Sequence, residues 1–392
     1  MVETSRRWRN LGVAAGAVTA VMFAVFDVYQ WAIAYASDHF HNDFTFYFAA
    51  ARIGLTHGWG SIYDLGLQQA QLDAMGSRIR IAELARYISP PPVAWLAVPF
   101  TALPYPAAYW AWSGLLVAAL SLAWYLAAPG DGWQRSIFLA AAAGWLPVIY
   151  ALQLAQPGLL VALGVAASYV LLKRDRPLLA GAALGALAFK PQLAFLVPIA
   201  LLAARRNRAF GAGVVTLAVL AGASVLALGP DGVRAYLERL SFASGVPVNR
   251  ELTLAYVFGD AARPAQVLVA AWTVLIANRL RNRGPEWIYA CALVGGMLAT
   301  PYAHLDDLAM LGLAAWLLLR SDHLPGWSWV YVLAGAIAIE GSPIWGPLPV
   351  IAAEVGALVL VSAAALTKSA PARQELQPSP APTRSSQPTT PR

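Results

Sequence analysis

A dense group of ionisable and aromatic residues follows the first apolar stretch of the chain, between Ser37 and Asp64. It reads SDHFHNDFTFYFAAARIGLTHGWGSIYD. If this segment is helical, Asp43 and Tyr47 share one face, because residues four apart lie above one another on a helix. A single carboxylate backed by aromatic rings is a candidate catalytic group. The alternative is a solvated external loop whose Phe side chains anchor it to lipid.

A second face of the same helix would be apolar. Phe44, Phe48 and Leu55 form a stripe beside the Asp43 face. A short amphipathic helix with such a stripe can lie flat at the membrane surface. The spacing therefore predicts a helix on the outer leaflet that holds Asp43 at the lipid–water boundary.

The composition indicates that the surrounding elements are membrane helices. Of the 392 residues, 59% are hydrophobic and 12% charged, whereas soluble domains have about 25% charged residues. Lys and Arg concentrate in short clusters between apolar runs, as in 205–208 and 279–283. Such clusters are typical of cytoplasmic loops, so the net charge of +7 does not indicate nucleic-acid binding.

Apolar runs near the roughly 20 residues that a membrane helix needs predict an all-α polytopic protein with about a dozen spans. The candidate spans are 12–35, 90–104, 106–128, 134–151, 157–172, 178–203, 209–228, 264–280, 286–300, 305–320, 325–341 and 348–366. They form one domain, 1–368, with external loops at about 37–88, 229–263 and 300–304. The Pro/Ser/Thr-rich segment 369–392 is predicted to be a disordered cytoplasmic tail.

Two points of this topology stay open. Lys190–Pro191 either interrupts 178–203 as a break between two short helices or lies within one span, and 90–104 is either a span or a re-entrant segment. Glu340 and Glu354 lie near the predicted outer ends of their spans, where solvation at the interface is expected.

The order of motifs resembles that of glycosyltransferase family 87, bacterial membrane enzymes of the GT-C architecture. The resemblance rests on Asp43-Phe44, Tyr47 to Arg52, Ser61 to Asp64, Pro91-Pro92, Pro99 to Pro104, Trp110, Ala155 to Gly158, Ala180-Gly181, Lys190-Pro191, Asn249 to Thr253 and Thr300 to His304. The chain departs from the usual pattern at Ala155-Gln156-Pro157, at Asn249-Arg250-Glu251 and at Thr300.

This resemblance implies an inverting glycosyltransferase at the outer face of the bacterial inner membrane. The implied donor is a polyprenyl-phosphate monosaccharide, with mannose as the best guess, and the acceptor a cell-envelope glycolipid or glycan. Asp43 would be the general base that takes the proton of the acceptor hydroxyl. Lys190 and His304 would assist at the phosphate, with Arg250 as a further candidate from its loop. Further lining candidates are Tyr47, Arg52, Tyr63, Asn249 and Tyr302.

No cofactor is expected. His41, Asp43 and His304 are potential metal ligands, but no tight ligand spacing such as HxxxH is present, so the prediction is a metal-independent enzyme. Two other classes remain: a transporter or flippase for a lipid-linked substrate, and a non-catalytic protein that binds polyprenyl phosphate. The polar residues gather in external loops rather than in two related halves at mid-membrane, which favours the transferase over the transporter.

Overall fold

The computed structural model describes residues 2–82, 85–321 and 328–366, and every regular element within those ranges is helical. The α-helices are α1 (Val2–Ser37), α2 (Phe44–His57), α3 (Leu65–Ala74), α4 (Pro91–Ala97), α5 (Tyr105–Ala127), α6 (Gly132–Ala143), α7 (Leu146–Gln153), α8 (Gly158–Lys173), α9 (Pro177–Ala183), α10 (Leu196–Ala203), α11 (Asn207–Gly245), α12 (Leu254–Phe258), α13 (Ala262–Arg279), α14 (Pro285–Ala299), α15 (Ala309–Leu319), α16 (Ser328–Glu340), α17 (Ser342–Trp345) and α18 (Leu348–Leu366). The 3₁₀ turns are Trp59–Ser61, Val98–Ala102, Leu184–Ala188, Pro191–Leu193, Pro247–Arg250, Gly259–Ala261, Leu280–Asn282 and Leu305–Leu308. The predicted tail 369–392 lies outside the described residues.

Several helices have the length and apolarity of membrane spans. Among the described residues four qualify, namely Ala14–Ser37, α5, α11 and α18, and the number is five if α6 and α7, bent by 61°, count as one span. The chain therefore has the character of a membrane protein, but the predicted number of about twelve spans is not confirmed. Helices such as α15, with 11 residues, are too short at 1.5 Å per residue to cross a hydrocarbon core of about 30 Å.

The bundle is built around α14. From Glu286 to Ala299 each of its residues is buried, and it packs against α10, α13, α15 and α18. In contrast, α1 lies at the periphery, where Trp31 is its one buried side chain between residues 14 and 37. Apolar side chains on such an outer helix suit contact with lipid.

The helix α2 forms where the spacing predicts it, but it does not lie on the membrane surface. Phe44 and Phe48 are 0% and 2% exposed, and Phe44 packs against Phe100, Tyr109 and Trp112. The prediction of a surface helix is wrong, because α2 is covered by α3, α4 and neighbouring turns. Phe44 and Phe48 of its apolar stripe therefore face protein, whereas Leu55 is exposed.

The segment 178–203 is interrupted at Lys190–Pro191, which is the first of the two alternatives left open by the sequence. The chain leaves helical geometry at Lys190 (φ −153°, ψ 77°), and Pro191 starts a separate turn. Segment 90–104 forms only the short α4 and one 3₁₀ turn. The predicted external loop 229–263 is largely helical, since α11 continues beyond a kink at Gly229 to Gly245.

The expectation for Glu354 is also wrong. This side chain is 2% exposed, and within the described structure neither of its carboxylate oxygens has a hydrogen-bond partner. Glu340 accepts a hydrogen bond from the backbone N–H of Leu146 at 2.8 Å. Glu354 is therefore enclosed by protein instead of being solvated at an interface.

Candidate functional site

Asp43 is held by two elements at once. Its backbone carbonyl accepts hydrogen bonds from the N–H groups of Phe46 and Tyr47 at the start of α2, and its own N–H donates to the carbonyl of Leu154, just beyond α7, at 3.0 Å. The carboxylate is thus fixed where the beginning of α2 meets the end of α7.

A glutamine connects Asp43 to Tyr47. Gln156 donates from Nε2 to the Oδ2 of Asp43, and the Tyr47 hydroxyl donates to the Oε1 of Gln156 at 3.3 Å. The amide therefore orients the carboxylate and is itself oriented by the tyrosine. Asp43 and Tyr47 share a helix face, as their spacing predicts.

The backbone before Gln156 adopts an unusual conformation. Ala155 has a φ of 57°, in the left-handed region that L-residues with a Cβ rarely adopt. The indole N–H of Trp112 donates to the carbonyl of Ala155 at 2.9 Å, and the Gln156 N–H donates to Ala151 at 2.8 Å. This turn ends α7 and directs the Gln156 side chain toward Asp43.

A buried ion-pair cluster forms the other half of the site. Lys190, 8% exposed, donates from Nζ to the Oδ2 of Asp306 at 2.7 Å and also to the Oδ1 of Asp307. The second oxygen of Asp307 accepts the backbone N–H of His304 at 3.0 Å. The Oδ1 of Asp306 is buried without a hydrogen-bond partner in the described part of the chain.

The two halves interact electrostatically. Burial, as the largest cause, and repulsion by the Asp306 carboxylate together raise the pKa of Asp43 to about 7, although attraction by Lys190 opposes the shift. The 3₁₀ turn that carries Asp306 packs against α7, which explains this proximity. A carboxylate with such a pKa exchanges protons readily near neutral pH, as a general base requires.

The predicted phosphate-binding residues differ in the charge they offer. The positive charge of Lys190 is shared between two carboxylates. Burial lowers the pKa of His304 below its ordinary value, although Asp306 opposes the shift, so at neutral pH this imidazole is mostly uncharged. Arg250 is half-buried and belongs to no ion pair among the described residues. Of the three, Arg250 has the least compensated charge.

Asn249 and Tyr302 shape the corner that contains His304. The Ala303 N–H donates to the Asn249 carbonyl at 3.1 Å, and the Tyr302 ring packs edge-on against His304 with ring centroids 4.9 Å apart. The side-chain Oδ1 of Asn249 is buried and, within the described residues, unpaired. The corner thus carries a second free acceptor besides Asp306.

Two predicted lining residues lie elsewhere. Arg52 is exposed, with its guanidinium 5.9 Å from the centre of the Phe48 ring. Tyr63 is buried, donates to the Ser89 carbonyl at 2.8 Å and stacks on Tyr87. Tyr87 in turn contacts the Tyr47 ring, so Tyr63 is linked to Tyr47 through the Tyr87 ring.

A pocket of about 210 Å³ lies near the start of α2, where Asn42 lines it and Asp43 itself does not. Its walls include Tyr35, His41, Tyr150 and Leu154, the last of which binds the Asp43 N–H through its carbonyl. Aromatic walls with a few polar groups are typical of sites that bind small molecules. The space is suited to one part of a substrate.

The sequence interpretation gave no role to Gln156. Gln156 belongs to the motif Ala155 to Gly158 that contributed to the family resemblance. A polar residue next to a proline between two apolar runs is the sequence signal that could have identified it as a site residue. Asp306 and Asp307 directly follow the corner at 300–304. Their pairing with Lys190 has no local signal, since more than a hundred residues separate them.

The fold and site together define a helical membrane protein with a buried acid–base centre. The sequence model of glycosyltransferase family 87 matches residues 87–333, more than half of the chain, and the chain belongs to this family. The matched region contains Lys190, Asn249, Arg250, Tyr302 and His304 but not Asp43. No curated protein matches, and no solved structure matches.

Proposed function

We propose that this glycosyltransferase moves a monosaccharide, mannose as the first choice, from a polyprenyl-phosphate donor to a cell-envelope glycolipid or glycan. The transfer would take place at the outer face of a bacterial inner membrane, with inversion at the anomeric carbon. The short apolar helices would add to the spans in a bundle of the GT-C type. Family membership supports the reaction class, and the environment of Asp43 is the observation that carries the mechanism.

In this mechanism Asp43 accepts the proton of the acceptor hydroxyl while that oxygen attacks C1 of the sugar. The bond from C1 to the phosphate oxygen breaks, and its electron pair leaves with the phosphate. The new glycosidic bond therefore forms on the face opposite the leaving group. Gln156 keeps the Asp43 carboxylate aimed at the hydroxyl, through the hydrogen bond described above.

The developing charge on the phosphate needs donors or cations nearby. Arg250 would supply the charge, and His304 and Tyr302 would supply N–H and O–H donors. Lys190 would act mainly on Asp306 and Asp307, which it holds in place. The free Oδ1 of Asp306 would then accept a hydroxyl group of the sugar.

The test is sugar transfer in membranes given a panel of radiolabelled polyprenyl-phosphate sugars and envelope lipid acceptors. Wild type is compared with Asp43→Asn and with Asp175→Asn, an exposed carboxylate in the turn after α8. We expect transfer by wild type and Asp175→Asn, and loss of transfer with retained donor binding in Asp43→Asn. Full activity of Asp43→Asn would refute the assignment of the base. Donor binding without transfer by any of the three would favour the transporter or non-catalytic reading.

A further inference from the structure

An apolar cavity of about 650 Å³ lies between α15, α16 and α18, with α5, α6 and α8 completing its walls. It extends along α15 from Ala309 to Leu319, which at 1.5 Å per residue is about 16 Å. Among the lining residues Glu354 is the one with an ionisable carboxyl group, and none is Lys, Arg or His. The cavity is therefore a slot for hydrocarbon with a single strong acceptor in its wall.

The Glu354 carboxyl group has no partner to explain its burial. Both oxygens are buried without a hydrogen bond from any described residue. The nearby hydroxyl of Tyr331 donates instead to the Ala353 carbonyl at 2.5 Å. Buried polar groups in folded proteins are nearly always paired, so an unpaired carboxyl in a cavity wall points to a donor on a ligand.

The cavity reaches the outer surface of the bundle. Trp329 and Leu333 of α16 line it and are 59% and 51% exposed. Apolar exposed surface on a membrane protein meets acyl chains. The ligand would therefore enter sideways from the bilayer.

We propose that this cavity binds the hydrocarbon chain of a membrane amphiphile whose hydroxyl or primary amine group donates a hydrogen bond to Glu354. A chain of hydrocarbon alone would fill the volume but leave the carboxyl unpaired. None of the cavity-lining residues belongs to the Asp43 site or to the Lys190 ion-pair cluster, and the proposal does not depend on sugar transfer.

The test uses the full chain in phosphatidylcholine nanodiscs and four photoactivatable probes of equal chain length: an alkanol, a primary alkylamine, a trimethylalkylammonium and an alkane. Labelling of α15, α16 and α18 is counted by mass spectrometry. Glu354→Leu removes the acceptor by replacing the carboxyl side chain with an apolar one of similar size. Glu340→Gln is the matched control, because its carboxyl group already accepts the Leu146 N–H.

We expect the alkanol or the alkylamine to label the cavity about three- to tenfold more than the alkane, as one net hydrogen bond allows. The preference should persist in Glu340→Gln and disappear in Glu354→Leu, and comparing the alkanol with the alkylamine identifies the donor. If Glu354→Leu does not fold, Glu354→Met serves the same comparison. Equal labelling by the alkane, or a preference that survives loss of Glu354, overturns the proposal. If the alkylamine is the preferred probe, equal labelling by the trimethylammonium, which has charge but no donor, also overturns it.

Discussion

The Nζ of Lys190 lies 2.7 Å from the Oδ2 of Asp306, and both residues are buried although 116 positions separate them. This contact joins the break between α9 and α10 to the corner that precedes α15. The lysine also binds Asp307, so one cation holds two carboxylates in place. The first prediction concerns the stability of this cluster.

Lys190→Met should lower the free energy of unfolding by about 3–5 kcal/mol, because it leaves two buried carboxylates without a cation. Arg80→Met is the control: Arg80 and Asp73 form an ion pair with side chains 72% and 50% exposed, and such a pair contributes about 0–1 kcal/mol. Denaturant unfolding in detergent measures both. Equal effects of the two substitutions would show that the buried cluster adds no stability.

The rate of sugar transfer should depend on pH through Asp43. Its pKa is raised to about 7, and the base must be ionised, so the rate should rise with pH, be half-maximal near pH 7 and level off about one pH unit higher. Asp306→Asn removes a repelling charge, which should lower the pKa of Asp43 and move the midpoint to more acidic pH. Rate profiles of the two proteins measure this shift, and an unchanged midpoint contradicts the electrostatic coupling.

Gln156→Ala should slow transfer about 10- to 100-fold, since a charge-assisted hydrogen bond that orients the base is worth about 1.5–3 kcal/mol. Gln156→Glu should instead raise the pKa of Asp43, because a second carboxylate beside it disfavours ionisation. The midpoint of the rate profile then moves to higher pH. If both variants keep the wild-type rate and midpoint, Gln156 does not orient the base.

Arg250 and Arg52 offer a matched comparison, because both were predicted to line the site and only Arg250 lies beside the corner. Arg250→Gln should lower the transfer rate about 10- to 100-fold by removing charge stabilisation of the leaving phosphate. Arg52→Gln should stay within about twofold, as for a surface substitution of about 0.5 kcal/mol, since its side chain is exposed beside Phe48. Steady-state transfer rates of the two variants measure the difference. If Arg52→Gln is slowed more than Arg250→Gln, the phosphate binds near α2 instead.

Ala155→Gly should stabilise the fold by about 1 kcal/mol, because glycine adopts the left-handed conformation of this residue without steric cost. Ala151→Gly, four residues earlier and within α7, should destabilise by about 1 kcal/mol. Opposite shifts of the unfolding midpoint confirm the strain at position 155. If both glycine substitutions destabilise the protein, the packing contributed by the Cβ of Ala155 outweighs the backbone strain at this position.

Part of the site was predictable because it rests on local spacing. Asp43 and Tyr47 are neighbours on α2, and Pro191 breaks the helix after Lys190 because proline cannot continue it. The pairing of Asp43 with Gln156 and of Lys190 with Asp306 was not predictable. Each joins segments more than a hundred residues apart, and no helical period encodes such contacts.

The sequence by itself determined the helical class, the membrane character and the candidate base. The tertiary structure decided that α2 is buried, that Glu354 is enclosed, and that about a dozen apolar runs become fewer full-length spans. The physical reason is that lipid tails are as apolar as a protein core. Hydrophobicity therefore identifies which residues avoid water, but only packing decides which of them face lipid and which face the interior of the protein.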